Sequence, residues 1–499
     1  MKKIFALFLL ALGLFVIVGC KKQKDPTVKP TEPVDTQPTD TNPDPKTQTQ
    51  TETPEPTVDI FEKGEGVMTY EEYCDADIDS AVVIEGFIQG AQTFNPSYGN
   101  LTLYLADKDG AYFVYRAPAD QELADKCVVG AKVKVSGTKS EWSGETEIIN
   151  ATIEVLEGSY IAQARELDLS EDYLEDFQNQ LVVLKEFVVL DKGDDQAFLY
   201  KYNGSGSHDE NSDLYYDVTI AGELFTFVVE SDLCDNTTAA YAAVENLKVG
   251  DIVNVTGFLY WYEGPQLHTT GLEVTGNVNY KDEGVLTYAE FAASAFDKDV
   301  VIEGYIQGAQ VFVPEYGNIT LYLADASGAY FVYRAPITAE EVAELHIGDK
   351  VKVTGVKAEW SGEVEVTNGK VEKVDGPVFF APAKDITKLT DEWDKYINQL
   401  VTIQGLVVQD SGDGQAFLYK WNGSGSHDEN SDLYYKVELN DVTYTFVVES
   451  DLCNNESLAY RAVEGLHVGD KIIVTGFLYW YENPQLHTLD VVVIPGEDD

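Results

Sequence analysis

The chain reads Gly130-Ala-Lys-Val-Lys-Val-Ser-Gly137, where apolar and polar side chains alternate between two glycines. Alternation with a period of two predicts a β-strand with one buried face, and the flanking glycines mark turns. The pattern returns three times, as Gly250-Asp-Ile-Val-Asn-Val-Thr-Gly257, Gly348-Asp-Lys-Val-Lys-Val-Thr-Gly355 and Gly469-Asp-Lys-Ile-Ile-Val-Thr-Gly476. Four copies of one strand pattern predict four modules.

The four modules are arranged as two pairs. Residues 66–275 are repeated as residues 284–494, and residues 203–216 recur without a change as residues 422–435. Self-similarity at a fixed period sets the architecture of a chain. One two-module unit is therefore used twice. Such duplication favours a binder that gains from avidity over an enzyme with one catalytic centre.

Both modules of a unit show the same order of three strands, a helix and two strands. In the first module of the first unit, the strands and the helix are predicted at residues 81–89, 101–106, 111–116, 120–127 (helix), 131–137 and 145–155. The second module adds a longer loop and a hairpin, and its elements are predicted at residues 181–190, 197–202, 214–220, 224–230, 238–245 (helix), 250–257 and 266–275.

The four glycine-bounded stretches resemble the fourth strand of an OB-fold, and Val-x-Ile-x-Gly at 82–86 and 300–304 resembles its first strand. The resemblance is strongest for OB-fold modules of bacterial surface lipoproteins. It implies an all-β fold with short helices, built as four OB-like five-stranded barrels in two tandem copies of a two-barrel unit. It also implies that the strand 2–3 face and adjoining loops bind oligonucleotides or oligosaccharides. β-Sandwich domains are the alternative, which a helix before the fourth strand fits poorly.

These patterns divide the chain into six segments. They are a lipoprotein signal peptide, a disordered Pro/Thr-rich stalk and four OB-like modules, at residues 1–20, 21–62, 63–157, 158–278, 279–376 and 377–495. The stalk contains almost nothing that could form a core, so it cannot offset its ordering entropy. We expect it to hold the modules away from the membrane.

The N-terminus carries a targeting signal. Lys2 and Lys3 precede an apolar run at residues 4–18, and the run ends at Gly19-Cys20. This end resembles the lipobox of bacterial lipoproteins, which implies acylation of Cys20 and anchoring at the outer face of the cell membrane. An ordinary signal peptide with a chance cysteine is the alternative.

The composition restricts the partners. The chain has 86 acidic and 34 basic residues and a net charge of -52. Nucleic acid is bound largely through neutralisation of its phosphates by Lys and Arg. We therefore expect a glycan or protein ligand outside the cell, with nucleic acid as the less favoured alternative. A structural spacer without a ligand, which would bury its tryptophans, is the third possibility.

Aromatic residues mark the turns between the last two strands of each module. An aromatic ring on an exposed loop can stack on a sugar or a base, although these rings could instead plug the end of a barrel. The ligand-binding candidates are Trp142, Trp261, Tyr262, His268, Trp360, Trp480, Tyr481 and His487. Arg116 and Arg334 end the third strands, where we expect each to pair with a neighbouring glutamate such as Glu85 or Glu303; binding of a carboxylate or phosphate is the alternative.

An acidic loop appears in identical form in both units. Its candidate ligands for Ca²⁺ are Asp209, Glu210, Asp213, Asp428, Glu429 and Asp432. Carboxylate oxygens suit a hard cation, but the spacing is not that of an EF-hand, and a polar turn is the alternative. No catalytic motif is recognisable, so we expect no enzyme activity. Cys74 and Cys127 occur only in the first unit, either as a disulfide or as two separate thiols.

Overall fold

The computed structural model describes residues 59–193, 196–201, 212–420 and 431–495. The predicted signal peptide, Cys20 and the stalk up to residue 58 lie outside the described residues. From Ile60 onward the chain forms one unit by its internal contacts. None of the helices in the described ranges is both long and apolar enough to cross a bilayer.

Barrel 1 is a closed ring of five strands in the order β1-β2-β3-β5-β4. Its elements are α1 (Tyr70–Asp75), β1 (Ala81–Ala91), β2 (Asn100–Ala106), β3 (Ala111–Pro118), α2 (Gln121–Ala124), β4 (Ala131–Trp142) and β5 (Glu145–Ser159). The alternation at 130–137 does place Val133 and Val135 in the core, each fully buried. The helix predicted at 120–127 is shorter and spans only α2.

Barrel 2 closes through the pairing of β7 with β9, giving the ring β7-β11-β12-β10-β9. Its elements are β6 (Arg165–Glu166), the 3₁₀ helix η1 (Leu174–Phe177), β7 (Leu181–Val189), β8 (Leu199–Tyr200), β9 (Leu214–Ile220), β10 (Glu223–Val229), α3 (Ala239–Glu245), β11 (Asp251–Trp261) and β12 (Pro265–Asn277). The predicted hairpin is present as β9 and β10, but it is not an addition to the module, because these are the second and third strands of the barrel. The segment at 197–202 supplies only β8, which pairs with β9 at its outer edge.

The second unit repeats this topology as barrels 3 and 4. Barrel 3 contains α4 (Tyr288–Ala293), β13 (Lys298–Ala309), β14 (Asn318–Ala324), β15 (Ala329–Pro336), α5 (Ala339–Val342), β16 (Lys350–Trp360) and β17 (Glu363–Lys373). Barrel 4 contains β18 (Lys384–Asp385), η2 (Thr390–Tyr396), β19 (Leu400–Gln409), β20 (Phe417–Tyr419), β21 (Leu433–Leu439), β22 (Val442–Val448), α6 (Leu458–Glu464), β23 (Lys471–Tyr481) and β24 (Asn483–Ile494). The predicted architecture of four OB-like barrels in two tandem pairs is confirmed.

Consecutive barrels pack through small apolar clusters. Tyr104, Phe113 and Phe258 join barrels 1 and 2, and Tyr322, Phe331 and Phe477 join barrels 3 and 4 in the same way. Barrels 2 and 3 meet at a different cluster, which consists of Val188, Val278, Tyr305 and Phe379. The contact within a pair is thus used twice, and the contact between the pairs is distinct from it.

Candidate ligand-binding surface

The last hairpins of barrels 1 and 2 end side by side. The β4–β5 turn is formed by Ser143 and Gly144, which have φ values of 50° and 92°. Such a two-residue turn matches the twist of its strands. The backbone N–H of Glu263, in the β11–β12 turn, donates to the carbonyl of Ser143 at 2.8 Å. Glu482 donates to Ser361 at 2.8 Å in the second unit, so both units hold their two tips together.

An exposed aromatic pair lies on these joined tips. Trp142 is 52 % exposed and Tyr262 is 42 % exposed, and their ring centroids are 5.3 Å apart. Trp360 and Tyr481 repeat the arrangement with centroids 5.1 Å apart. We call Trp142 with Tyr262 the first tip pair, and Trp360 with Tyr481 the second. The structure brings together rings that lie in different modules of the sequence.

Trp261 and Trp480 lie behind the tip pairs and are partly buried. The backbone N–H of Trp261 donates to the Glu145 carboxylate at 2.8 Å, and that of Trp480 donates to Glu363 at the same distance. Each indole packs against the glycine of the neighbouring turn, since a Cβ on Gly144 would lie 2.7 Å from Trp261 Cδ1. These tryptophans therefore support the tips, and their rings also pack on the cores of barrels 2 and 4.

Glu145 and Glu363 are fully buried carboxyl groups under the tips. Burial raises the pKa of each to about 8, because the charged form loses its hydration. In both residues Oε2 accepts the tryptophan N–H, while Oε1 has no hydrogen-bond partner in the described part of the chain. The repeated sequence Glu-Trp-Ser-Gly-Glu resembles a surface turn, so it gave no signal that its last residue is buried.

The two histidine candidates are placed in the interior. His268 is 3 % exposed, stacks on Tyr260 with centroids 4.2 Å apart, and shares a hydrogen bond with the Tyr104 hydroxyl of barrel 1. Burial lowers the pKa of His268 to about 3, so the imidazole is neutral at pH 7. His487 has the same burial and contacts in the second unit. Both rings contribute to barrel packing rather than to the exposed tips.

A partly buried carboxyl group faces each of these histidines. Glu230 Oε1 lies 3.8 Å from His268 Nε2, and its other oxygen accepts a hydrogen bond from Gln92 at 2.6 Å. Burial raises the pKa of Glu230 to about 7. Glu449 faces His487 at 3.7 Å with a pKa raised to about 7 by the same cause. Sequence reasoning missed these residues, because no local pattern shows which barrel covers them.

The strand 2–3 face of barrel 1 is covered by barrel 2. Tyr104 on β2 stacks on Phe258 of β11 with centroids 4.2 Å apart, and Phe113 on β3 meets Tyr260 edge to face at 5.5 Å. In barrel 3 the equivalent stack of Tyr322 on Phe477 has centroids 4.1 Å apart. The face that the OB resemblance assigns to a ligand is thus occupied by the next barrel in both units.

The two arginines that end the third strands do not pair as predicted. Glu85 binds Lys132 at 3.1 Å, and Glu303 binds Lys350 at 3.0 Å, because these lysines lie on the adjacent β4 and β16. Arg116 instead lies over the ring of Tyr115, 4.9 Å from its centroid, and Arg334 lies over Tyr333 at 5.0 Å. Each guanidinium therefore stacks on an aromatic ring at the surface.

The acidic loops are only partly described. Asp209, Glu210, Asp428 and Glu429 lie outside the described residues. Asp213 accepts hydrogen bonds from the backbone and hydroxyl of Ser231, and Asp432 does so from Ser450. Within the described ranges no group of three or more His, Cys, Asp or Glu side chains could hold a metal ion. The Ca²⁺ site stays a prediction.

The cysteines of the described chain are all free. Cys74 is exposed and Cys127 is buried, and no disulfide joins them. Cys234 and Cys453 are buried at matching positions of the two units.

No family model and no curated protein matches this chain. Solved structures to which this chain shows similarity include a murine DNA-binding protein bound to double-stranded DNA (9 % identity, 40 % of this chain, 100 % of that chain, TM-score 0.16). A second is the Ifi202 HINa domain in complex with double-stranded DNA (15 %, 40 %, 99 %, 0.20). A third is a replication protein A heterotrimer bound to single-stranded DNA (7 %, 63 %, 94 %, 0.16). Identities and TM-scores this low say nothing about the ligand of this chain.

Proposed function

We propose that this protein is a lipid-anchored extracellular binding protein, without enzyme activity, that holds a glycan at its two tip pairs. The observation that carries the proposal is the exposure of the paired rings. Trp142 and Trp360 are 52 % and 53 % exposed, although tryptophan is highly buried on average. A structural spacer would gain nothing from keeping these two rings in solvent, whereas a sugar-binding surface requires it.

The tip pairs are preorganised for binding. The hydrogen bonds from Glu263 to Ser143 and from Trp261 to Glu145 fix the two hairpin ends relative to one another. A ligand that stacks there therefore has little loop to order, which reduces the entropic cost of association. The same bonds recur in the second unit, so one polymer chain with repeating rings has two equivalent places to stack.

The charge of the chain supports an uncharged ligand. A net charge of -52 repels polyanions, whereas a neutral sugar face stacks on an aromatic ring without any phosphate to neutralise. Localisation outside the membrane follows from residues 1–20 alone and is part of the proposal.

Nucleic acid is the second candidate ligand, and the arginine–tyrosine stacks favour it. Arg116 over Tyr115 and Arg334 over Tyr333 place two guanidinium groups at the surface of barrels 1 and 3. A guanidinium on an aromatic ring is suited both to phosphate and to base stacking. This reading predicts affinity that falls steeply with salt.

The test is calorimetric titration of the full chain with chitohexaose and, separately, with oligo-dT at two salt concentrations. We expect chitohexaose binding, and a loss of about tenfold or more in Trp142→Ala/Trp360→Ala, because stacking on an exposed aromatic ring contributes about 1–3 kcal/mol. The melting temperature should shift by less than about 2 °C. Tyr173→Ala/Tyr280→Ala is the matched control, since those rings are 66 % and 69 % exposed outside the tip pairs.

The outcomes separate the candidates. One outcome is that oligo-dT binds and chitohexaose does not, and that salt and Arg116→Ala/Arg334→Ala weaken this binding. The ligand would then be nucleic acid. Equal losses of affinity in the tip variant and in the control variant, or no binding of either ligand, would contradict the proposal.

A further inference from the structure

A cavity of about 510 Å³ lies where barrel 2 meets the segment that follows barrel 3. Ligand sites of small molecules occur preferentially at such junctions. The apolar part of its wall includes Val188, Ile220, Ile252, Val378 and Phe379. Val188 and Phe379 also belong to the buried cluster that joins barrels 2 and 3, so this wall is fixed by the packing of the two units.

Three polar side chains interrupt the apolar wall, and one of them, Thr275, donates its hydroxyl to the Ile252 carbonyl at 3.2 Å. Thr219 is 1 % exposed, and its hydroxyl forms no hydrogen bond to any described residue. Buried polar groups in native proteins are nearly always hydrogen-bonded, so an unpartnered hydroxyl calls for an explanation. Glu186 is the third group, and it supplies an exposed carboxylate at the cavity wall.

Glu186 is retained in an unfavourable backbone conformation. Its φ is 61°, in the left-handed region that favours glycine, and the corresponding residue of barrel 4 is Gly405 with a φ of 71°. Its N–H donates to the Asn254 side chain at 3.2 Å, at a bulge in the pairing of β7 with β11. Strain kept at one site and relieved by glycine at its duplicate indicates a use for the side chain.

Barrel 4 has different side chains at two of the positions that form this cavity wall in barrel 2. At the positions of Thr219 and Ile252 it has Glu438 and Lys471. The backbone is the same in the two barrels, so the differences lie in the wall and not in the fold. The site is therefore specific to barrel 2, and barrel 4 provides natural substitutions that the fold tolerates.

We propose that this cavity binds a small organic cation with an apolar ring body. The ring packs against Ile220, Ile252 and Phe379, and the ammonium group lies at the Glu186 carboxylate. The Thr219 hydroxyl provides a hydrogen bond to a polar atom on the ring. The negative charge of the whole chain raises the local concentration of cations near the site.

The site is tested with dansylcadaverine, which has a naphthalene ring and a primary ammonium tail, and whose fluorescence rises in apolar surroundings. We expect one saturable site per full chain. Ile252→Lys, the residue that barrel 4 has here, should weaken binding about tenfold or more, because it puts a cation into the wall. Glu186→Gln should weaken it about fivefold. Neutral dansylamide should bind wild type and Glu186→Gln equally.

Matched controls separate this site from the tip pairs. Glu438→Gln removes a carboxylate of barrel 4 at the position that corresponds to Thr219, and it should leave dansylcadaverine binding unchanged, as should Trp142→Ala/Trp360→Ala. Absence of saturable binding, or the same affinity in Ile252→Lys with an unchanged melting temperature, overturns the proposal. Neither result bears on glycan binding at the tips, so the two proposals fail independently.

Discussion

Barrels 1 and 3 differ from barrels 2 and 4 in what lies against the strand 2–3 face. In barrel 1 this face consists of Tyr104, Phe113 and Tyr115, and barrel 2 covers it. In barrel 2 the same face has Asp217, which binds Lys192 at 2.6 Å, and Leu224, which is 56 % exposed. The face of barrel 1 is an internal contact, whereas the part of the barrel 2 face that holds Asp217 and Leu224 is open, and Thr219 beside it is buried at the cavity.

The difference shows that a pair of barrels is the structural unit. A ligand face named from the fold alone would fall on Tyr104 and Phe113, which are buried. Because these two rings pack against the next barrel, the accessible aromatic rings are those at the hairpin tips, where Trp142 and Tyr262 meet. The fold of a single barrel therefore does not show where accessible aromatic rings lie, and the arrangement of the two barrels does.

Phe258→Ala should disrupt most directly the contact by which barrel 2 covers the strand 2–3 face of barrel 1. Phe258 is 2 % exposed and stacks on Tyr104, so truncation leaves a cavity and should lower the free energy of unfolding by about 3–5 kcal/mol. Urea denaturation measures this change. Phe477→Ala should cost the same in the second unit. A loss below about 1 kcal/mol in both variants would mean that the barrels are not joined by this stack.

The second prediction concerns the buried carboxyl groups beneath the tips. The pKa of Glu145 and of Glu363 is raised to about 8 in the folded protein, so folding favours their protonated forms. That stabilisation is present at low pH and is lost as pH rises through 8. Between pH 6.5 and pH 9 the contribution of each carboxyl group to the free energy of unfolding should fall by about 2 kcal/mol. Glu145→Gln/Glu363→Gln should remove this pH dependence of stability.

The pH window is chosen to exclude the histidines. Burial lowers the pKa of His268 and His487 to about 3, so their stabilisation is complete above their unfolded pKa and is lost only as pH falls towards 3. Glu230 and Glu449 also titrate within the window, with a pKa of about 7. Comparison of wild type with the double variant cancels their contribution. If the free energy of unfolding depends on pH in the same way in wild type and in the double variant, Glu145 and Glu363 are ionised throughout the window.

Much of the fold can be predicted from the sequence, because period-two alternation and the repeat are local signals. The stretch at 130–137 is a barrel strand as expected, and the four barrels follow from its recurrence. The same alternation cannot distinguish a barrel strand from an added hairpin, which is why β9 and β10 were misassigned. Their identity depends on the closure of β7 with β9, a contact between distant residues.

The candidate site was harder to predict, since alternation separates two faces of a strand without showing what covers the outer one. Trp142 and Tyr262 were identified from their turns, but their contact depends on how two barrels pack. His268 alternates with Leu267 on β12, a pattern that suits a solvent-facing residue equally well. Its burial comes from Tyr104, which lies in another module.

A smaller effect is expected where the two tips touch. Gly144 has a φ of 92°, and a Cβ there would lie 2.7 Å from the Trp261 ring. Gly144→Ala should therefore lower the free energy of unfolding by about 1–2 kcal/mol and weaken chitohexaose binding by displacing the support of the first tip pair. Gly284→Ala is the control, because its φ of 86° carries similar strain with nothing within 4 Å. Equal binding losses in both variants would contradict a specific role of the contact.

The smallest effect is expected on the open face of barrels 2 and 4. Leu224 is 56 % exposed at the start of the third strand of barrel 2, and the residue at its position in barrel 4 is Thr443, which is also exposed. Leu224→Ser and Thr443→Ala should change the free energy of unfolding by no more than about 0.5 kcal/mol, the range of ordinary surface substitutions. Phe258→Ala measured in parallel gives the contrast between the two faces. A cost of several kcal/mol for Leu224→Ser would mean that this face is also covered in solution, and barrels 1 and 2 would then differ in partner rather than in exposure.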